Sequence, residues 1–173
     1  MNILALNGSP HRQGNTAKML ASFKDGAESV GHIVEIVEVC GKEIHGCLAC
    51  EYCHTKGNGV CCQKDDMREI YEALNRADML VLASPVYYHG ISGQLKCVID
   101  RFYSAAYPVG PRRLKKVAMF LSSGANNQYD GARYSFDNDF LGYLGLKNMG
   151  FYTSAGAVSP KTLTELRKMG AGL

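Results

Sequence analysis

No apolar run in this sequence approaches the length of a membrane span, so the chain is not expected to cross a membrane. Charge of one sign is also scarce. Nineteen Lys and Arg face sixteen Asp and Glu, the net charge is only +3, and the basic residues are scattered. A nucleic-acid surface normally gathers them into a patch or stripe, so that class of partner is set aside. The opening MNILALNGSP has neither a basic segment nor a small-residue cleavage site, and it reads as the start of a cytoplasmic protein rather than a secretory signal. Internal repeats, linkers and low-complexity tracts are missing too. No Ser–His–Asp order or paired-carboxylate constellation stands out, and no two histidines share ligand spacing on a helix.

Against these absences, 46% of the 173 residues are apolar and 20% are charged, which is enough to bury one core. The pattern alternates. Ile3–Leu6 and Met79–Pro85 are apolar runs suited to strands covered on both faces. Ile33–Val39 carries Glu35 and Glu38, which suits a strand at a sheet edge. Val117–Gly124 and a weaker stretch at Gly150–Ser154 complete five strands. Between them, helical periodicity appears after Asn15, over Met67–Leu74 behind an Asp66/Glu69 capping box, over Leu95–Phe102 and near Phe136–Leu144. Ser159-Pro160 starts a last short helix. Strands and helices in alternation predict an α/β fold of three layers, a parallel sheet with helices on both faces.

In such folds ligands sit beyond the carboxyl ends of the strands. Three polar, glycine-rich stretches fall there: NGSPHRQGNT (Asn7–Thr16), SPVYYHG (Ser84–Gly90) and SSGANNQYDG (Ser122–Gly131). The first reads either as a plain turn or as a phosphate cradle, in which free N–H groups, a helix N-terminus and the side chains of Ser9, Asn15 and Thr16 meet an anion. It lacks the Gly-Lys-Ser/Thr ending of a triphosphate loop and the G-x-G-x-x-G of a dinucleotide site, so a phosphate monoester fits best. The second offers aromatic faces to a flat heterocycle, or else is a hairpin with packed tyrosines.

Five of the seven cysteines crowd between Cys47 and Cys62, a usage expected of metal or redox chemistry in a reducing compartment. Cys47, Cys50 and Cys53 follow C-x2-C-x2-C, the start shared by ferredoxin-type cluster motifs, with Cys61 or Cys62 available as a fourth ligand. Reduced or disulfide-forming thiols are the rival reading, and zinc is a third, although it favours two separated C-x2-C pairs. Cys40 and Cys97 are expected to fill the core, and His32, His45 and His54 to lie at the surface.

Three segments, GSPHRQGNT, GCLACEYCHTKGNGVCCQKDDM and ADMLVLASPVYYHGISGQLKCVIDR, resemble the flavodoxin-like NAD(P)H-dependent FMN reductase family, and within it the iron–sulfur flavoprotein branch. The stretch FLGYLGLKNMGFYTSAG is similar to quinone and azo reductases that use flavin. The resemblance implies a flavodoxin-like fold with strand order 2-1-3-4-5, and one FMN-binding domain over 1–173 with a cysteine-rich insertion at about 44–64. It places the FMN phosphate on Ser9, His11 or Arg12, Asn15 and Thr16. The isoalloxazine would lie against Pro85, Val86, Tyr87, Tyr88, His89 and Gly90, with Ser123 and Gly124 from the third loop. His89 and Tyr88 are the side chains that could reach flavin or substrate. Cys47, Cys50, Cys53 and Cys61 would bind a 4Fe–4S cluster. The implied activity is NAD(P)H-dependent reduction of a quinone, flavin, azo or nitro compound by a homodimer or tetramer. The alternatives are a ferredoxin-linked electron carrier and a thiol-based redox sensor.

Overall fold

The computed structural model describes residues 1–106 and 110–173. Strand β1 (Asn2–Asn7) leads to helix α1 (Asn15–Ser29), and β2 (Ile33–Glu38) is followed by the cysteine loop and α2 (Met67–Arg76). Strand β3 (Met79–Tyr87) turns into the two-residue β4 (Gly90–Ile91) and then α3 (Gly93–Ala105). Next come β5 (Lys116–Ser123), α4 (Asp130–Ser135), a π-helical stretch (Phe136–Tyr143), β6 (Lys147–Ala155) and α5 (Pro160–Ala171). Five strands pair in parallel in the order β2-β1-β3-β5-β6, while β4 folds back antiparallel on the end of β3. Setting that small β4 aside, this is the expected 2-1-3-4-5 order, and the glutamate-bearing β2 does lie at the edge.

Alternation along the strands builds the three layers. Leu4 and Leu6 of β1, with Leu80 and Leu82 of β3, point into a core shared with α2, α3 and the Ala132–Phe140 segment. Ile3, Ala5, Met79 and Val81 point the other way, onto Met19, Leu20 and Phe23 of α1 and Leu166 of α5. Helices α1 and α5 pack very closely: a Cβ on Gly26 would lie 2.0 Å from the Arg167 carbonyl oxygen.

Four local expectations change. Asp66 does not cap α2 with its side chain. Its carboxylate accepts instead from the Glu43 N–H at 2.8 Å, so no capping box forms. The helix expected near Phe136 begins six residues earlier, at Asp130, because the α4 turn buries only Ala132 and carries little apolar signal. Strand β6 starts at Lys147 rather than Gly150, its first residues exposed and its register shifted at Val117/Ala118. Cys40 and Cys97 are half-buried rather than core residues. The Ser159-Pro160 start is as expected, Ser159 Oγ accepting from the Thr162 N–H at 3.1 Å.

Candidate functional site

The ends of β1, β3 and β5 bring the three polar loops side by side. Gly8 N–H donates to the Ala83 carbonyl at 2.8 Å, and Gly8 packs so tightly that a Cβ would fall 2.7 Å from Leu95 Cβ. Asn7, fully buried, orients the first loop through both ends of its amide: Oδ1 accepts from Ser9 N–H at 3.2 Å, and Nδ2 donates to Glu38 at 2.8 Å. Ser9 Oγ in turn accepts from His11 N–H at 3.2 Å. Thr16, also buried, shares a 3.1 Å hydroxyl–hydroxyl bond with Ser122, tying the first loop to the third.

Helix α1 begins at this junction with Gly14 at its cap. No side chain caps it, and no acidic residue lies in its first turn. Its positive dipole end is therefore available to an anion. Ser9 and Thr16, both expected to meet the phosphate, fall inside the junction. Asn15 lies beside it with a different task. Its amide donates to the Gly156 carbonyl at 2.7 Å and accepts from Val158 N–H at 3.2 Å, fastening the β6–α5 turn. His11 and Arg12 are both exposed on the rim.

The second loop is a hairpin in form. Val86 pairs with Ile91 and Tyr87 with Gly90, leaving Tyr88 and His89 as a two-residue turn at φ 49° and 63°. Both positive values fit a type I′ turn, here without the usual Asn or Gly, so the backbone is strained. The turn thrusts out aromatic surface: Tyr88 is fully exposed and Tyr87 is 46% exposed. It is also held from behind. Ala132 N–H donates to the His89 carbonyl at 3.2 Å, and a Cβ on Gly131 would approach that oxygen to 2.7 Å. Pro85 and Val86 are half-buried beneath it, and Ser123 bonds to the Tyr129 hydroxyl at 2.9 Å in the third loop, just before Gly124.

The cysteine loop lies elsewhere, along α3. Ser104 Oγ donates to the Gly59 carbonyl at 2.6 Å, and Tyr103 OH donates to Glu51 at 2.9 Å. His54, half-buried rather than freely exposed, stacks on Tyr103 with ring centroids 3.9 Å apart. His32 is likewise half-buried and meets the N-terminal amine at 3.0 Å, whereas His45 is exposed. Cys47, Cys50, Cys53 and Cys61 line one small recess together with Arg101 and Ser104. Ala49 and Glu51, on either side of Cys50, have positive φ. Among the described residues no three His, Cys, Asp or Glu side chains are gathered as a metal would hold them. Cys50 and Cys62 instead touch, Sγ to Sγ, at 3.6 Å. The Tyr52 N–H, with that contact, draws the Cys50 thiol below its ordinary value, and the same contact pushes Cys62 up. Burial raises Cys53.

Sequence reasoning missed the Asn7–Glu38 brace, the Thr16–Ser122 pair and Arg101. Each depends on a partner distant in sequence, and no local signal marks it.

The sequence pattern of the family described as NADPH-dependent FMN reductase matches residues 1–158. An iron–sulfur flavoprotein of Archaeoglobus fulgidus is 40% identical over 101 residues, 58% of this chain and 45% of that protein. One of Methanocaldococcus jannaschii is 32% identical over 126 residues, covering 73% and 63%. This chain thus spans about half to two thirds of the length of these curated relatives. Among solved structures, an NAD(P)H:quinone oxidoreductase from Methanothermobacter marburgensis shares the fold, with a TM-score of 0.75 at 22% identity over 99% of this chain and 96% of that one.

Proposed function

We propose, from the premise that the chain belongs to the NADPH-dependent FMN reductase family, that it is an FMN-binding oxidoreductase that uses NAD(P)H to reduce a small acceptor such as a quinone, flavin, azo or nitro compound. The observation that carries this is the uncapped start of α1, framed by Ser9 and the Thr16–Ser122 hydroxyl pair. A phosphate monoester satisfies such a junction, since N–H groups and hydroxyls donate while the dipole favours negative charge. The flavin part of the reading is supported by the hairpin, a strained turn with two exposed tyrosine faces of the kind on which a planar ring stacks.

FMN, when bound, supplies the redox chemistry, taking up a hydride and passing electrons on. The residues supply position. Ser9, Thr16 and the α1 N-terminus hold the phosphate. Pro85–Gly90 flanks the ring, and the Gly131–His89 contact keeps that hairpin from swinging away. No acid or base is obligatory in this scheme. A homodimer or tetramer and a cytoplasmic location belong to the same proposal. Among the described residues no helix is long and apolar enough to cross a membrane.

A second reading is supported by the cysteine recess and by the names of the relatives. Four thiols facing one recess match the donor kind and number of a 4Fe–4S cluster. They fit as a donor set that is not drawn together. In that case Cys47, Cys50, Cys53 and Cys61 would hold the cluster, and electrons would pass between it and FMN, with ferredoxin as a donor in place of NAD(P)H.

The test is an absorption spectrum of anaerobically purified protein after FMN incubation and gel filtration, followed by steady-state NAD(P)H oxidation with a quinone acceptor. Flavin bands with turnover support the reductase. Flavin bands with no NAD(P)H oxidation would shift the assignment to the electron carrier, and no retained flavin would end both.

A further inference from the structure

Cys62 has no task in either reading above, yet its sulfur touches that of Cys50. Cys50 and Cys62 sit 12 residues apart, both are exposed, and their sulfurs are 3.6 Å apart. The other thiols of the loop are differently placed. Cys53 is buried, Cys61 is half-buried, and the Cys47 sulfur accepts from Ala49 N–H at 3.4 Å. The loop is shaped around Cys50: residues 49 and 51 both adopt left-handed backbone that non-glycine residues seldom hold, at φ 50° and 55°. A bonded pair needs sulfurs about 2.0 Å apart, so an approach of roughly 1.5 Å completes it.

We propose that Cys50 and Cys62 form a reversible dithiol–disulfide site on the metal-free loop, oxidised by low-molecular-weight disulfides of the glutathione type. The exchange balances in two steps. One of the two sulfurs, as thiolate, attacks the small disulfide; that S–S bond breaks, a mixed disulfide forms and one small thiolate leaves. The second sulfur, after losing its proton, attacks the protein-side sulfur of the mixed disulfide and expels the other small thiolate. The protein loses two electrons and two protons, and the small disulfide is reduced to two thiols. Contact between the two sulfurs makes the second step intramolecular, with the large effective concentration that proximity confers.

The site goes beyond the FMN reading and needs neither flavin nor cluster to operate. It does share Cys50 with the proposed cluster ligands, so the oxidised loop and the cluster exclude each other.

The experiment uses full-length, FMN-saturated protein from which iron has been chelated, exposed to glutathione disulfide without oxygen. Free thiols are counted, and peptides are mapped by mass without reduction. The expected result is loss of two free thiols per chain, one intrachain link joining Cys50 to Cys62, and full reversal by excess reduced glutathione. Cys62→Ser, at an exposed position, should form no link, stop at a glutathione adduct on Cys50, and release one reduced glutathione per chain where the wild type releases two. A link through Cys47, Cys53 or Cys61, a link between chains, or wild-type protein that stops at mixed disulfides would overturn the proposal. Circular dichroism and FMN content, unchanged in Cys62→Ser, separate these outcomes from a damaged fold. Because thiols rather than turnover are read, failure here leaves the reductase assignment standing.

Discussion

Asp65 and Arg101, 36 residues apart, form a two-point ion pair with both side chains out of solvent: Nη1 to Oδ2 is 2.7 Å and Nη2 to Oδ1 is 3.2 Å. The same Nη1 donates to the His45 carbonyl at 3.0 Å, and Asp65 accepts from His45 N–H at 3.2 Å. Just outside, Glu43 and Asp66 exchange two further bonds. The cysteine loop therefore leaves and rejoins the body at one narrow crossing, anchored on α3.

Removing one partner leaves the other buried and charged. Arg101→Met should cost about 3–5 kcal/mol in unfolding free energy, while Asp65→Leu with Arg101→Met should recover much of it. Urea unfolding of both variants checks this. A single-variant loss no larger than that of an exposed ion pair would refute it.

Acid should act through the same pair. Burial raises the Asp65 carboxyl, but hydrogen bonds from Arg101 and His45 N–H outweigh it and hold the group below the ordinary aspartate value. A depressed folded value contributes stability that is present above the unfolded value and lost as pH falls through the folded one. Stability measured from neutrality downward should therefore lose this contribution only below the usual aspartate range. The Asp65→Leu/Arg101→Met protein should show a shallower fall in that window.

At the proposed phosphate junction, Thr16→Val preserves shape and removes the hydroxyl. A charge-assisted hydrogen bond contributes about 1.5–3 kcal/mol, so FMN affinity should drop about tenfold or more. Riboflavin, which has no phosphate, should bind as before. Equal losses in a fluorescence titration would show that the Ser122 contact, and not the phosphate, was at stake.

The hairpin makes a prediction of the opposite sign. Replacing Tyr88 and His89 by Asn and Gly relieves two left-handed non-glycine residues, with an expected gain of about 1 kcal/mol and a Tm rise of roughly 2–4 °C. If either side chain touches the flavin, the same variant binds FMN more weakly while melting higher. Calorimetry and titration on one sample separate the two effects.

If the cysteine recess takes up a cluster on anaerobic reconstitution, Cys61→Ser should lose iron and sulfide and keep FMN. Cys62→Ser should retain all three, because Cys61 and not Cys62 lines the recess with Cys47, Cys50 and Cys53. The reverse pattern would make Cys62 the fourth ligand.

Much of this molecule could be read from its sequence because the relevant signals are local. Runs such as Met79–Pro85 announce buried strands, and small polar residues at Ser9, Ser84 and Ser123 mark the strand ends where ligands collect. What stayed hidden depends on contacts made far along the chain. Asn15 looked like a phosphate donor, but its amide is taken by residues 141 and 143 positions away. Arg101 looked like one more helix residue, and nothing near it in sequence points to Asp65. The helix start at Asp130 stays hidden because α4 offers only Ala132 to the core before the π-helical stretch at Phe136–Tyr143.

The Asn15 amide has a wider consequence. It joins the start of α1 to the β6–α5 turn, and Ser22 Oγ donates to the Leu163 carbonyl at 2.7 Å farther along the same two helices. A Cβ on Gly170 would lie 2.3 Å from the Phe23 carbonyl oxygen, so α5 cannot peel away without disturbing α1. An anion bound at the α1 N-terminus, at a hundredfold excess over its Kd, adds about 2.7 kcal/mol to any opening that abolishes the site. Amide hydrogens of α5 should then exchange more slowly with deuterium, making this helix a remote gauge of occupancy at the first loop.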